Sequence, residues 1–395
     1  MQVIKRALQE KILSRLRAGK VIVLTGARRT GKTFLIREIM QNLNRPHLCL
    51  NGEDYTTALK LQNKGLDEHR NLIGENKFLI IDEAQKIENI GQILKLMIDE
   101  IEGLHILITG SSAFDMLNTI GEPLTGRKYS YQLHPIAQIE LMAYENPITT
   151  QSLLSSRLIY GSYPEVLTIH DNNEKIEYLT DLINSYLLKD ILVLDRIKNS
   201  SKLVNIIRLL AFQVGHEVSI NELAQNVGLN KLTVERYLDL LTKVFVIYRV
   251  EGYSRNLRKE ISKSPRYYFW DNGIRNMLIA NFNDLTLRND VGQLWENYII
   301  SERIKLQQYQ GWPSNNYFWR TYDQQEIDWI EERDGGIFAY EIKYRNTQTK
   351  VPGAWARNYP NAKFTLVNTE NYLKFITQKD IFQKRTLNDK SFGKS

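Results

Sequence analysis

Gly26-Ala27-Arg28-Arg29-Thr30-Gly31-Lys32-Thr33, followed by Phe34, matches the pattern G-x-x-x-x-G-K-[ST]. Residues of these types at this spacing bind phosphate. The glycines let the backbone curl until its N–H groups converge on phosphate oxygens. The helix that follows directs its positive end to the same point. Lys32 is placed to reach the β- and γ-phosphates, and the Thr33 hydroxyl to bind Mg²⁺. A second group, Phe78-Leu79-Ile80-Ile81-Asp82-Glu83, is an apolar strand pattern ending in two carboxylates. Asp82 suits the Mg²⁺ shell, and Glu83 the polarisation of an attacking water. Two acids after a core strand can also simply cap a helix, but here a phosphate loop stands upstream. Together the groups imply ATP and Mg²⁺ as cofactors. The backbone of residues 26–34 forms the cradle, and Lys32, Asp82 and Glu83 act in hydrolysis.

Further along, His105-Ile106-Leu107-Ile108-Thr109 reads as a buried strand ending in Gly110-Ser111-Ser112. A polar side chain at that tip can contact the γ-phosphate or the attacking water. Thr109, Ser111 and Ser112 are the candidates, Ser111 first; capping the next helix is the plainer role. Arg127, in the loop after Pro123-Leu124, is the candidate for stabilising transition-state charge, within one subunit or across an interface of a homo-oligomer. A solvated loop arginine would look the same.

The last third carries a different set. Glu296 sits in a helical stretch, Asp328 on one strand-like run, and Glu341-Ile342-Lys343 on the next. Residues two apart on a strand share a face, so Glu341 and Lys343 point the same way and Asp328 can meet them. Carboxylates converging on Mg²⁺, with a lysine to steady the attacking water, are the parts of a phosphodiester-cleaving site. Cross-strand ion pairs at a surface would use the same residues.

The elements that must position these groups follow from periodicity. Ala7 to Leu16 reads as a short amphipathic helix, and Val21-Ile22-Val23-Leu24 as the strand that feeds the phosphate loop. Ile90 to Ile101 carries an apolar helical stripe, and Tyr129 to Leu133 closes a set of strands alternating with helices. That alternation implies a parallel sheet covered on both faces. Helical stretches over 151–160 and 173–194 suit a small lid. Ser219-Ile220-Asn221-Glu222 is a capping-box pattern, Gly228-Leu229 a tight turn, and Asn230 a second cap. Two short helices about a turn, then strands over 244–250 and 266–270, predict a winged helix. It would present Lys231, Thr233 and Arg236 on one helix, and Arg255, Arg258, Lys259 and Lys263 on the wing. A helix over 294–307, strands over 317–322, 326–332, 337–344 and 363–367, and a turn at Asp334-Gly335-Gly336 complete the chain.

Composition bounds the rest. A length of 395 residues calls for more than one domain, and 43% hydrophobic with 25% charged residues supports full cores. No apolar run nears the roughly 20 residues that span a bilayer, and Gln9, Glu10 and Lys11 interrupt any leader-like segment. One cysteine and six scattered histidines give neither a disulfide nor a zinc site, so a cytoplasmic protein is expected. The net charge is +7, and Lys189 to Arg266 alone holds 14 Lys/Arg against 8 Asp/Glu. A local surplus of this kind suits a polyanion such as DNA, or a solvated basic face.

Taken together, Gly26 to Thr33, Asp82-Glu83-Ala84-Gln85, Thr109-Gly110-Ser111-Ser112, Gly126-Arg127, Gly161-Ser162-Tyr163-Pro164-Glu165, Tyr186 to Ile191, and Phe269-Trp270-Asp271-Asn272-Gly273 resemble a family of prokaryotic AAA+-type ATPases. The C-terminal domain of that family is related to PD-(D/E)xK restriction endonucleases, and Glu296, Asp328 and Tyr340-Glu341-Ile342-Lys343 are similar to their core. Asp328 follows Ile327 rather than proline. The resemblance implies an α/β fold: a P-loop AAA+ core over 1–148, a helical lid over 149–197, a winged helix over 198–275, and a nuclease-like α/β domain over 276–395. It further implies ATP binding and hydrolysis, and the leading reading is an Mg²⁺-dependent ATPase that couples its nucleotide state to a DNA-facing module. An ATP-regulated endonuclease, or a nucleotide switch that docks a protein without C-terminal catalysis, are the alternatives.

Overall fold

Five short strands form the first sheet: β1 (Val21–Thr25), β2 (His47–Asn51), β3 (Phe78–Asp82), β4 (His105–Gly110) and β5 (Lys128–Gln132), of which β1, β3 and β4 are mostly β-branched and aliphatic. In the computed structural model, which describes residues 3–43, 45–62, 64–111, 123–188, 200–254, 264–345 and 348–379, all five run parallel in the order β2-β3-β4-β1-β5. β1, β3 and β4 are buried, as strands covered on both faces must be. β2, on the sheet edge, alternates exposed and half-buried residues instead. The helix Lys32–Leu43 turns Leu35, Ile36, Ile39 and Met40 inward, and Ile90–Glu100 buries Ile90, Leu94, Met97 and Ile98 on the other face. Because β4 lies between β1 and β3, its tip separates the phosphate loop from the acidic pair. Open parallel sheets place ligands at such carboxyl ends.

Beyond the sheet, Asn146 caps the helix Pro147–Tyr160 and Asp171 caps Asn172–Leu182. Three more helices follow, Ser200–Phe212, Ile220–Val227 and Lys231–Lys243. The Ser219 and Asn230 side chains accept from the N–H groups of Glu222 and Thr233, and Gly228 takes the left-handed turn between the last two helices. β6 (Ile247–Gly252) then pairs antiparallel with β7 (Arg266–Phe269). Arg255, Arg258, Lys259 and Lys263 lie outside the described residues, as do Lys189, Asp190 and Ile191.

The second sheet has six strands in the order β11-β10-β9-β8-β6-β7. β8 (Asn315–Arg320), β9 (Glu326–Arg333) and β10 (Gly336–Ile342) are antiparallel neighbours, and β11 (Lys363–Val367) joins β10 in parallel. Asp334 and Gly335 both take positive φ, 50° and 71°, as a two-residue hairpin turn requires. β6 also pairs with β8, Glu251 opposite Tyr317, so the β6–β7 hairpin is an extension of the C-terminal sheet. A continuous hydrophobic core runs from Leu154 to Ile376, and the helix Val291–Gln310 is buried on nearly every side.

Two of the quoted motifs interlock in this core. Asp271 accepts from the N–H groups of Ser162 (2.7 Å) and Gly273 (2.9 Å). Gly161, with φ +77°, lies so close that a Cβ would stand 2.0 Å from the Asp271 carboxylate. Residues 161–165 and 269–273 thus form a packing joint. Among the described residues no helix is long and apolar enough to cross a membrane.

Candidate nucleotide site and a C-terminal carboxylate cluster

The phosphate loop leaves β1 at Thr25 and closes on Lys32, where the helix begins. Gly26 takes φ +155°, and a Cβ there would fall 2.2 Å from the Leu133 carbonyl oxygen, so only glycine lets the loop pass β5. The Thr30 hydroxyl donates to the Ala27 carbonyl at 2.8 Å and fastens the turn from within. Lys32 is buried, and among the described residues its Nζ donates to loop carbonyls alone, Gly26 at 3.0 Å and Ala27 at 3.1 Å. Burial lowers its pKa, against the pull of Glu83 and Asp82. Arg29 stands exposed at φ 63°, Arg28 is half-buried, and Phe34 is largely exposed at the helix start.

The two halves of the site meet through short hydrogen bonds. Thr33 Oγ1 donates to Asp82 Oδ2 at 2.6 Å, and Thr109 Oγ1 donates to Asp82 Oδ1. The same Thr109 oxygen accepts from the Glu83 N–H at 3.0 Å. Thr109 therefore works on the acidic pair, from the strand wedged between it and the loop. Ser111 is further out and meets the pair through Gln85, whose Nε2 lies 3.3 Å from Ser111 Oγ and 2.6 Å from Glu83 Oε2. Ser112 lies outside the described residues. A hydroxyl and a carboxylate side by side are the hard oxygen donors that magnesium takes, and a buried ammonium beside a glycine cradle suits a triphosphate. The residues fit the nucleotide and its metal.

Arg127 does not join this group within its own chain. Its carbonyl accepts from the N–H of Val21, the first residue of β1, whereas the phosphate loop leaves from the last. At about 3.3 Å per strand residue, β1 holds it roughly 15 Å away. There it pairs with Asp99 at 2.8 Å, both side chains part-exposed.

Residues that periodicity does not single out support the loop from behind. Arg6 is buried and donates to the Thr30 carbonyl (2.5 Å), the His134 carbonyl (2.7 Å) and Glu140 (2.9 Å). Glu140 also accepts from the N–H groups of Ala7 and Ala137, each at 2.8 Å. Tyr309, on the helix Val291–Gln310, brings its hydroxyl to Arg6 and accepts from the His134 N–H at 3.1 Å. His134 stacks at 4.1 Å on Trp270 and meets Gln308 at 2.6 Å, and burial lowers its pKa to about 3. The phosphate loop and the C-terminal helix thus share one buried arginine. No sequence pattern marks Arg6; Gln85 at least stands in the quoted Asp82-Glu83-Ala84-Gln85.

The C-terminal residues also come together. Asp328 accepts from the Ile342 N–H at 2.8 Å and from Lys343 at 3.4 Å, and Lys343 pairs with Glu341 at 2.9 Å. Glu296 accepts from the Tyr268 hydroxyl at 2.7 Å, with Arg266 at 3.7 Å. Arg266 is itself buried, and also holds Glu326 at 3.0 Å. Burial first, then Asp328, pushes the pKa of Glu296 up to about 8 and that of Glu341 to about 7. Burial opposes the charge on Lys343, but Asp328 and Glu341 outweigh it and raise its pKa. Among the described residues no group of three His, Cys, Asp or Glu is arranged to hold a metal; Lys343 lies against Asp328 and Glu341, and Arg266 against Glu296.

The parallel sheet, the loop and the acidic pair define an AAA-type P-loop ATPase domain, and residues 18–142 match the family described as an AAA domain. Residues 151–285 and 291–381 match two families described as domains of unknown function, DUF8612 and DUF4143. An uncharacterized protein of Mycobacterium tuberculosis is similar at 26% identity, over 88% of this chain and 75% of that one. Another, of Methanocaldococcus jannaschii, is 26% identical over 98% of this chain and 88% of its own. Among solved structures, a Walker-type ATPase of Pyrococcus abyssi is similar with a TM-score of 0.47 at 14% identity, over 70% of this chain and 96% of that one.

Proposed function

We propose that the protein hydrolyses ATP with Mg²⁺ and couples its nucleotide state to a DNA-facing C-terminal half. The observation that carries this reading is the chain of contacts Thr33–Asp82–Thr109–Glu83 beside a lysine bonded, among the described residues, only to loop carbonyls. Lys32 and the loop amides bind the β- and γ-phosphates, and Thr33 and Asp82 hold the metal. Glu83 orients and polarises the attacking water. Bound magnesium would neutralise phosphate charge there. Arg127 could serve the reaction only from a second copy in a homo-oligomer, since its own loop is out of reach.

The three helices and the β6–β7 hairpin support a winged helix. Its helix Lys231–Lys243 exposes Lys231 and Arg236, while Thr233 is half-buried. DNA is the partner that such a face suits, through phosphate contacts that salt would weaken. The C-terminal succession of long helix, three antiparallel strands, short helix and parallel strand supports a restriction-endonuclease-like fold. Its cation-filled acid cluster favours docking over cutting.

ATPase turnover with and without single- and double-stranded DNA tests the coupling: stimulation is expected, and indifference at low salt removes DNA from the proposal. Lys32→Ala should abolish nucleotide binding, and Glu83→Gln should keep ATP but stop turnover. Normal hydrolysis by both variants would overturn the ATPase reading. Cleavage of plasmid with Mg²⁺ or Mn²⁺, lost in Asp328→Ala, would reinstate the nuclease.

A further inference from the structure

Among the described residues Glu83 makes no hydrogen bond of its own to the phosphate loop, so something must aim its side chain. Its main chain is held in the left-handed region, φ 50°, with its N–H on Thr109. The chain then makes a single tight turn, Ala84–Lys86, pinned by fully buried Ala84 and Ile87. This turn fixes Gln85 two residues on. Its amide spans from Glu83 Oε2 at 2.6 Å to Ser111 Oγ at 3.3 Å. The amide orientation follows from charge: only the NH₂ can face a carboxylate, since the carbonyl oxygen would repel it. Glu83 also acts on the loop through charge, favouring the Lys32 ammonium ahead of Asp82.

We propose that Gln85 is a positioning residue that holds the Glu83 carboxylate toward the phosphate site and links it to Ser111 at the tip of β4. The inference rests on reading Glu83 as the group that polarises water. Ser111 then acts through Gln85, whereas Thr109 touches the acidic pair directly. Nucleotide affinity belongs to Lys32, Thr33 and the loop amides, so Gln85 governs turnover and not binding. A base misaligned by about an ångström loses rate without losing its ligand.

Steady-state hydrolysis and equilibrium binding of a fluorescent ATP analogue separate the two. Gln85→Leu should lower kcat about tenfold or more while leaving the analogue's Kd within about twofold. Gln85→Glu sets a second carboxylate against Glu83 in place of the amide, so it should likewise lower kcat while leaving the analogue's Kd within about twofold. Ser111→Ala should slow turnover in the natural protein and add nothing in the Gln85→Leu background. Unchanged turnover in Gln85→Leu beside an inactive Glu83→Gln removes this inference alone. A combined loss of affinity and thermal stability in Gln85→Leu also overturns it, as a purely structural role. If Glu83→Gln turns over normally, the base assignment falls first and takes Gln85 with it.

Discussion

Lys32 and Lys343 are both lysines set among acids at the end of a strand or its loop, yet their surroundings differ in kind. Lys32 donates to two carbonyl oxygens, and burial works to strip its proton. Lys343 lies within 2.9 Å of Glu341 and 3.4 Å of Asp328, which raise its pKa. The first cation lacks an ionic partner at hydrogen-bond distance and retains its attraction for an anion. The second is already neutralised. What separates the two regions is whether their charges are balanced within the chain.

The two lysines should respond oppositely to removal, and this is the largest contrast. Lys32→Ala should abolish binding in calorimetric titration with ATP, whereas Lys343→Ala should leave that titration unchanged. The latter should cost about 1 kcal/mol of stability in urea unfolding, a modest figure because Lys343 is part-exposed. Loss of ATP binding in both variants would mean that the regions are coupled rather than distinct.

Next in size is Arg6→Ala. It leaves Glu140 buried without its cation and should destabilise by about 3–5 kcal/mol, read from denaturant midpoints. Because Arg6 also holds the Thr30 carbonyl, the KM for ATP should rise; an unchanged KM would confine Arg6 to architecture.

A smaller effect concerns pH. Glu296, raised from 4.5 to about 8 by burial and Asp328, holds a proton in the folded chain that the unfolded chain has already released. The unfolded state thus binds fewer protons across that interval, and stability falls as pH rises through it. Glu296→Gln should flatten the slope between about pH 5 and 8 in urea titrations. An identical slope would mean that other groups carry it. Smallest of all, Arg127→Ala removes a part-exposed pair with Asp99 and should shift stability by less than about 1 kcal/mol. A fall in turnover that appears only on self-association would give Arg127 its role across an interface.

Much of the N-terminal unit was readable from local pattern. Periodicity marks the helix Ile90–Glu100, and the run from Phe78 to Asp82 coincides with β3. The phosphate loop announces itself because backbone geometry demands glycine at fixed places, as at Gly26. The edges of elements shift by a few residues: the strand expected over 244–250 runs from Ile247 to Gly252, since Phe245 turns to φ 62° before it. What spacing could not convey is long-range pairing. Arg6 meets Glu140 across 134 residues and Tyr309 across 303, contacts without a periodic signature. Nor can spacing tell that Arg266 enters the acid cluster, because the pairing of β6 with both β7 and β8 carries it there. The residues at 161–165 and 269–273 were noticed as motifs, but their joint purpose emerges only when Asp271 reaches Ser162.

The pairing of β6 with β8 sets a mechanical condition on any cut of the polypeptide. A nick introduced between residues 279 and 290 would leave β6 and β7 on one fragment and β8 to β11 on the other, and only their separation would bare a hydrogen-bonding edge on each. The two pieces should therefore stay associated after proteolysis, held by the pairing of β6 with β8.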